Sequence, residues 1–174
     1  MKLLNSIGPN PKVVRMFLAE LGMSVDIEKV DLIKAENRGD VYVAKNASGT
    51  TPALELDDGT YLCEIIAICE YLDEVSDADS LIGNTAEERG ETRMWCRRID
   101  LNILETLTNG YRYSAGQALF KDRMRLIPQA ADDLKALAQE KITWLDGLME
   151  GKEFICGSRF TLADVLLFCF LEFG

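Results

Sequence analysis

Two features limit the residues that could carry chemistry in this 174-residue chain: histidine is absent, and the cysteines are scattered. Without histidine the chain has no Ser-His-Asp or Cys-His catalysis, no imidazole general base and no His-ligated zinc site. None of the five cysteines forms a C-x-x-C pair, which excludes a dithiol redox motif and a zinc ribbon. We therefore expect no metal site, and we interpret the cysteines as reduced, buried thiols of a cytoplasmic protein.

Two short segments remain in which backbone and side-chain groups could bind a ligand. Thr51-Pro52 stands where a turn leads into a predicted strand, a position at which cis peptide bonds occur. Glu64 opens a predicted helix, where free backbone N–H groups are available to an anion. The simpler interpretations are a proline that begins a strand and an acidic residue that stabilises a helix N-terminus.

The composition excludes several classes of partner. Lys and Arg number 19 against 29 Asp and Glu, so the net charge is −10, while 48% of the residues are hydrophobic. A globular chain with this charge repels phosphate backbones and anionic lipid, so we predict neither a nucleic-acid partner nor a membrane partner. The N-terminus lacks the pattern of a signal peptide, and the longest apolar run, over residues 165–170, is too short to span a bilayer.

The first 75 residues alternate between strand-like and helix-like segments. The pattern predicts strands over residues 2–4 and 25–30, a helix from Pro11 to the residue before Gly22, and a short helix over 38–44. A hairpin over 52–63 that turns at Asp58-Gly59 follows, and then a helix over 64–75. One helical crossover and a terminal hairpin predict a small mixed sheet covered by helices.

After residue 75 the pattern becomes almost wholly helical. Residues 76–85 are polar and acidic and predict a linker between a first domain over 1–75 and a second over 86–174. Helices are predicted over 87–113, as one or two segments, and over 132–149 and 162–173. Thr161 and Asp164 match the capping-box pattern of a helix start. Because the last helix is apolar nearly all round, we expect it at the centre of the second domain, and we expect the natural protein to continue beyond Gly174.

Four segments, in this order along the chain, resemble the cytosolic glutathione transferases. They are KLLNSIGPNPKVVRMFLAELG, KNASGTTPALELDDG, LCEIIAICEYLDE and FICGSRFTLADVLLF, and the last is close to the family signature F-x-x-G-x-x-F-T-x-A-D. The stretch PNP-x-x-VR-x-FLAE is similar to a bacterial and fungal branch that lacks the usual Ser, Cys or Tyr activator. The resemblance implies an α+β/α fold class: a thioredoxin-like N-terminal domain with a mixed four-stranded sheet, followed by an all-helical C-terminal domain.

The resemblance also implies residues that contact glutathione. In this family the proline equivalent to Pro52 is cis, and the preceding residue, here Thr51, pairs through its backbone with the cysteinyl unit of glutathione like an added strand. Glu64 would meet the γ-glutamyl ammonium, and Ile65 stands where the family has serine, so that the hydroxyl contact is lost. Further candidates, each better explained on its own as a solvated loop residue, are Thr50, Asn37 and Lys45.

The usual activator of the glutathione thiol has no equivalent side chain in this chain. The family's Ser or Cys position falls on Gly8, with Ser6 just upstream as a possible hydroxyl donor. Asn10 is the best backbone donor because Pro9 and Pro11 have no N–H, and we also expect it to cap the helix that starts at Pro11. Lowering a thiol pKa of about 8.5 by about two units needs about 2.7 kcal/mol. One hydrogen bond to the thiolate supplies about 1.5–3 kcal/mol and a helix N-terminus about 0.3–1 kcal/mol.

The resemblance therefore implies a glutathione transferase that conjugates the thiolate to small hydrophobic electrophiles, with glutathione as co-substrate. Candidates for the electrophile's pocket are Ile7, Leu107, Tyr111 and Tyr113, although an aromatic stripe at helical spacing is more often core. Two alternatives stay open: a non-catalytic binder or scaffold of the same fold, and a glutathione-dependent peroxidase or isomerase. The resemblance also implies a homodimer.

Overall fold

The computed structural model describes residues 1–173 and divides them into two compact units, Met1–Asn84 and Thr85–Glu172. Gly174, the last residue of the predicted second domain, lies outside the described residues. Most of the predicted linker groups with the first unit, because the Asp73 carboxylate accepts hydrogen bonds from Ser80 Oγ (2.5 Å) and from the Leu81 N–H (2.7 Å). The division between the units thus falls between residues 84 and 85.

The first unit is a mixed four-stranded sheet with helices, as predicted. Its elements are β1 Lys2–Asn5, α1 Pro9–Glu20, β2 Asp26–Lys29, a 3₁₀ turn Glu36–Arg38, α2 Asp40–Val43, β3 Ala53–Glu55, β4 Tyr61–Cys63 and α3 Ile65–Glu74. The strand order is β2-β1-β3-β4, with β1 and β2 parallel and the other two pairs antiparallel. The hairpin turns at Asp58, whose carboxylate accepts from the Thr60 N–H at 2.9 Å.

The core of this unit lies on both faces of the sheet. Leu3 and Leu4 are both fully buried, and as consecutive strand residues they point to opposite faces. Leu4 packs in a cluster with Val30, Tyr42 and Ala53. Val13, Val14 and Phe17, at helical spacing on α1, are fully buried as well.

Helix α1 begins at Pro9, two residues before the predicted start at Pro11. Its N-cap is Gly8 rather than Asn10, so the prediction that Asn10 caps the helix is wrong. Two prolines fit into one first turn because neither needs an N–H partner there and both hold φ near the helical value.

The second unit is wholly helical in its regular structure, as predicted. Its elements are α4 Ala86–Ile99, a π-helical turn Asp100–Leu104, α5 Glu105–Arg112, α6 Gln117–Phe120, a 3₁₀ turn Pro128–Ala130, α7 Ala131–Leu148 and α8 Leu162–Leu171. The predicted helix over 87–113 is α4 and α5 joined through the π-helical turn. Trp95, Ile99 and Ile103, spaced by four residues, are buried along this segment.

Helix α8 is buried on one face and exposed on another. The predicted capping box is present: Thr161 Oγ1 accepts from the Ala163 N–H at 3.3 Å, and Asp164 accepts from the Thr161 N–H at 2.9 Å. Six residues of α8 are buried, but Phe168 and Leu171 are 52% and 41% exposed and line a groove of about 320 Å³ beside α7. The expected central position of this helix thus holds for its six buried residues but not for the face that carries Phe168 and Leu171.

Candidate functional site

Three loop segments meet at one end of the sheet in the first unit. The strand register places Leu4 opposite Ala53, and Ala53 opposite Cys63. Because β3 runs antiparallel to both of its neighbours, the loop after β1, the Thr51–Pro52 bond before β3 and Glu64 after β4 lie at the same end. Helix α1 begins three residues into the first loop, and α3 begins directly after Glu64. Two helix N-termini therefore start at this end of the sheet.

Thr51 has unused backbone hydrogen-bonding groups beside this ladder. The Thr51–Pro52 bond is cis, and the Thr51 residue is 8% exposed. Among the described residues, neither its N–H nor its C=O has a hydrogen-bond partner, although Ala53, two residues on, is paired on both sides. A peptide segment lying alongside Thr51 would find one donor and one acceptor there.

Glu64 lies at the start of α3 in an unusual backbone conformation. Its φ is +71°, one of two positive values at non-glycine residues in the described chain. The side chain is exposed and makes no capping hydrogen bond, so the carboxylate is not used on the first N–H groups of α3, which have no partner within the helix. A conformation of this kind is strained and is held by its surroundings. Ile65, the first residue of α3, contributes a half-buried apolar side chain in place of the family's serine.

The N-terminus of α1 presents backbone donors to an open space. Gly8 has φ +100°, and no non-neighbouring atom lies within 4 Å of the position that a Cβ would take there. Of the N–H groups that the first turn leaves without intrahelical partners, those of Gly8 and Asn10 remain, because Pro9 and Pro11 have none. The prediction of a backbone donor at Asn10 is thus compatible with its place as the second residue of α1.

Ser6 is not free to act as a hydroxyl donor. It is 7% exposed, and its Oγ donates to the Val30 carbonyl at 2.6 Å, which ties the loop after β1 to the end of β2. The Ser6 carbonyl in turn accepts from Arg15 Nη1 at 3.2 Å, and the same nitrogen donates to Asn5 Oδ1 at 2.5 Å. Arg15 was not singled out from the sequence; the available signal was a cation flanked directly by the apolar residues Val14 and Met16 in α1.

Two weaker candidates already have partners within the first unit, and their role in glutathione binding stays a prediction. Asn37 is 4% exposed and donates through Nδ2 to the Gly49 carbonyl at 2.6 Å, while its Oδ1 is buried without a partner among the described residues. Lys45 lies 3.7 Å from Glu28 Oε1 and 5.7 Å from the centre of the Tyr61 ring. A buried amide and a paired ammonium of this kind stabilise their own loops.

The backbone carbonyl of Thr50 is held by two side chains of the first unit. The carbonyl accepts hydrogen bonds from Tyr42 Oη at 2.7 Å and from Asn46 Nδ2 at 2.9 Å, whereas Thr50 Oγ1 lies 2.6 Å from Ser48 Oγ. Tyr42 and Asn46 were not singled out from the sequence. Their four-residue separation around a short predicted helix was the available signal, since residues at that spacing share a helix face.

Burial raises the pKa of two side chains beside this site. The pKa of the Cys63 thiol is raised, first by burial and then by the neighbouring Glu64 carboxylate. Burial raises the pKa of Tyr42 to about 12. Both groups therefore stay protonated at neutral pH, and the Tyr42 phenol remains a hydrogen-bond donor.

The candidates for the electrophile's pocket belong to different units. Ile7, in the loop before α1, is 56% exposed. Leu107 and Tyr111 are one turn apart on α5, and Tyr113 follows the end of that helix; all three are half-buried. Their role in substrate binding stays a prediction.

Two kinds of feature are absent from residues 1–173. No group of three or more Cys, Asp or Glu side chains in this range could hold a metal ion. No helix in the same range combines the length and apolarity needed to cross a membrane.

Comparison with known proteins agrees with this architecture. Residues 7–75 match the family model of the glutathione S-transferase N-terminal domain, and residues 128–173 match that of the C-terminal domain. Glutathione S-transferase 2 of Saccharomyces cerevisiae is 31% identical over 174 residues, which cover 96% of this chain and 72% of the relative. Glutathione S-transferase GstA of Escherichia coli O157:H7 is 32% identical over 176 residues, covering 100% of this chain and 82% of the relative.

A solved structure agrees over nearly the whole chain as well. The glutathione S-transferase domain-containing protein of Marinobacter aquaeolei superposes with a TM-score of 0.93 at 34% identity, covering 99% of this chain and 86% of that one. Sequence and fold thus agree over both units, and this chain belongs to the glutathione S-transferase family.

Proposed function

We propose that this protein is a glutathione transferase that binds glutathione at the end of the sheet where Thr51, Glu64 and the N-terminus of α1 meet. The observation that best supports this proposal is that the Thr51 N–H and C=O have no hydrogen-bond partner among the described residues, whereas the strand that follows, β3, is paired on both sides. The cysteinyl unit of glutathione has the complementary C=O and N–H, so it would extend the ladder by one pairing.

The two ends of the γ-glutamyl unit fit the start of α3. Its ammonium group pairs with the exposed Glu64 carboxylate, and its carboxylate accepts hydrogen bonds from the first N–H groups of the helix. Ile65 does not prevent the second contact, because it retains its backbone N–H. The affinity for glutathione then depends on Glu64 and on backbone groups rather than on a serine hydroxyl.

The thiolate is stabilised by backbone N–H groups of α1. Gly8 and Asn10 supply the donors, and the positive end of the helix adds to them. One charge-assisted hydrogen bond of about 1.5–3 kcal/mol together with a helix end of about 0.3–1 kcal/mol is enough to lower the thiol pKa by about two units. Ser6 takes no part, because its proton is donated to Val30.

The reaction that follows is a nucleophilic substitution or addition. The thiol proton leaves to solvent, and the sulfur lone pair forms a C–S bond to the electrophilic carbon. In a substitution the leaving group departs with the electron pair of the broken bond. In an addition the π electrons of the C=C bond move onto the conjugated carbonyl, and the resulting enolate takes a proton from solvent. We propose that Ile7, in the loop before α1, contacts the hydrophobic part of the electrophile and that the protein acts in the cytoplasm as a homodimer.

Replacing Glu64 by glutamine tests the binding mode. The substitution keeps the shape and removes the charge, so the loss of one charge-assisted contact, about 1.5–3 kcal/mol, should raise the calorimetric Kd for glutathione by at least about tenfold. Glu74→Gln, at the last residue of the same helix, removes an equal charge and should leave the Kd unchanged. An unaltered Kd in Glu64→Gln would refute the proposed site.

A non-catalytic glutathione binder is the second candidate function. Two observations favour it: the Ser6 hydroxyl is committed to Val30, and Ile65 has no hydroxyl. The pKa of bound glutathione, followed by thiolate absorbance, separates the two candidates. A transferase lowers that pKa by about two units from about 8.5, whereas a simple binder leaves it near the free value.

A further inference from the structure

The Thr50 carbonyl is held by two buried side chains. Tyr42 Oη donates to it at 2.7 Å and Asn46 Nδ2 at 2.9 Å, and the two residues are only 5% and 4% exposed. The Asn46 amide is also held at its other end, where Oδ1 accepts from the Ser48 N–H at 3.1 Å and from Ser48 Oγ at 2.7 Å. The direction of the Thr50 carbonyl is therefore determined by donors that cannot easily turn away.

One turn of helix brings the two donors to the same side of the chain. The Asn46 N–H donates to the Tyr42 carbonyl at 2.9 Å, a four-residue helical hydrogen bond just beyond α2. Side chains separated by four residues in such a turn are neighbours. Tyr42 and Asn46 thus reach the Thr50 carbonyl together.

The same carbonyl belongs to the peptide unit that contains the Thr51 N–H. This peptide bond is trans, and its six atoms lie close to one plane with the C=O and N–H pointing in opposite directions. Residues 47–52 have no regular secondary structure that would otherwise hold this plane. Whatever orients the Thr50 carbonyl therefore also orients the Thr51 N–H, away from Tyr42 and Asn46.

We propose that Tyr42 and Asn46 are positioning residues that aim the Thr51 N–H at the cysteinyl carbonyl of bound glutathione. This inference rests on the proposed function and adds to it two residues that do not touch the ligand. It also explains why a tyrosine hydroxyl and an asparagine amide are buried beneath this loop: both donors are used on one acceptor.

Tyr42→Phe tests the proposal by removing one donor while keeping the buried ring. Two ligands are compared by calorimetry: glutathione, and a glutathione analogue whose cysteinyl carbonyl is replaced by a methylene. For glutathione we expect Kd to rise about 3- to 10-fold, as for one neutral hydrogen bond, with kcat unchanged at saturation. For the analogue we expect the same Kd in wild type and variant, because it has no carbonyl for the Thr51 N–H.

Two further variants complete the design. Tyr61→Phe is the matched control, since this half-buried hydroxyl makes no hydrogen bond among the described residues, and neither ligand's Kd should change. Asn46→Asp keeps the acceptor for Ser48 but removes the donor to Thr50, and it should weaken glutathione binding with the same selectivity. If Tyr42→Phe fails to fold, Asn46→Asp provides the same comparison of the two ligands.

The outcomes separate this inference from the proposed function. Equal losses for both ligands in Tyr42→Phe, or no loss for either, would overturn the positioning role while leaving the glutathione site intact. A wild-type protein that binds glutathione and the carbonyl-free analogue equally well would overturn the pairing at Thr51 itself. A wild-type protein that binds neither would overturn the proposed function.

Discussion

Replacing Ser6 by alanine separates the activation of the thiol from the stability of the loop before α1. The hydroxyl donates to the Val30 carbonyl at 2.6 Å, and the two residues are 7% and 2% exposed. Alanine leaves that carbonyl without this donor in a buried place. We therefore expect the free energy of unfolding to fall by about 1–3 kcal/mol, while thiol activation, which comes from Gly8 and Asn10, continues.

The two possible roles of Ser6 predict effects of very different size on the thiol. If its hydroxyl stabilised the thiolate, its loss would remove about 1.5–3 kcal/mol and raise the pKa of bound glutathione by about one to two units. In the acid limb of the pH profile kcat/KM would then fall about 10- to 100-fold. With the hydroxyl committed to Val30, we expect the pKa and kcat/KM per folded molecule to stay within about a factor of two.

The assay combines urea unfolding with the pH dependence of kcat/KM for a halogenated aromatic electrophile. Ser114→Ala is a matched control: it removes a serine hydroxyl that also donates to a backbone carbonyl, that of Gly110 at 2.7 Å, on α5 in the second unit. Both variants should keep the wild-type pH profile. An acid limb displaced upward by one unit or more in Ser6→Ala alone would refute the assignment of activation to backbone donors.

Two further predictions concern stability. The free energy of unfolding of Glu64→Gly should exceed that of Glu64→Ala by about 1 kcal/mol. The backbone strain at φ +71° costs about 1–3 kcal/mol in the alanine variant. Glycine removes this strain at an entropic cost of about 0.5–1 kcal/mol. Urea unfolding of the pair measures this, and an alanine variant of equal or greater stability would contradict it. Thr161→Ala should lose about 0.5–2 kcal/mol because the Ala163 N–H loses its cap. Thr161→Ser should retain most of this stability. In both variants kcat/KM per folded molecule should match wild type. A large loss of activity in Thr161→Ala would show that the cap does more than stabilise α8.

The elements that local patterns encode were predicted well. The four strands, the hairpin at Asp58 and the capping box at Thr161 depend on residues a few positions apart, so a short stretch of sequence contains the whole signal. The start of α1 was misplaced because Pro9 and Pro11 both suit a first turn, and the choice between them depends on the conformation of Gly8. Most of the predicted linker groups with the first unit because Asp73 binds residues seven and eight positions later, a contact that no local pattern encodes.

The sequence by itself determined which segments could form the site: a proline at a strand start, an acidic residue at a helix start, and a helix whose first turn has few N–H groups. The tertiary structure decided which of their polar groups remain available to a ligand. Ser6 and Asn37 are plausible donors in the sequence, yet each is already bonded to a carbonyl brought close by folding, 24 and 12 residues away. A hydrogen-bond donor that is paired with a neighbouring acceptor in the folded chain is not available to a ligand. Availability is therefore a property of the packed chain, whereas the type of each residue is a property of the sequence.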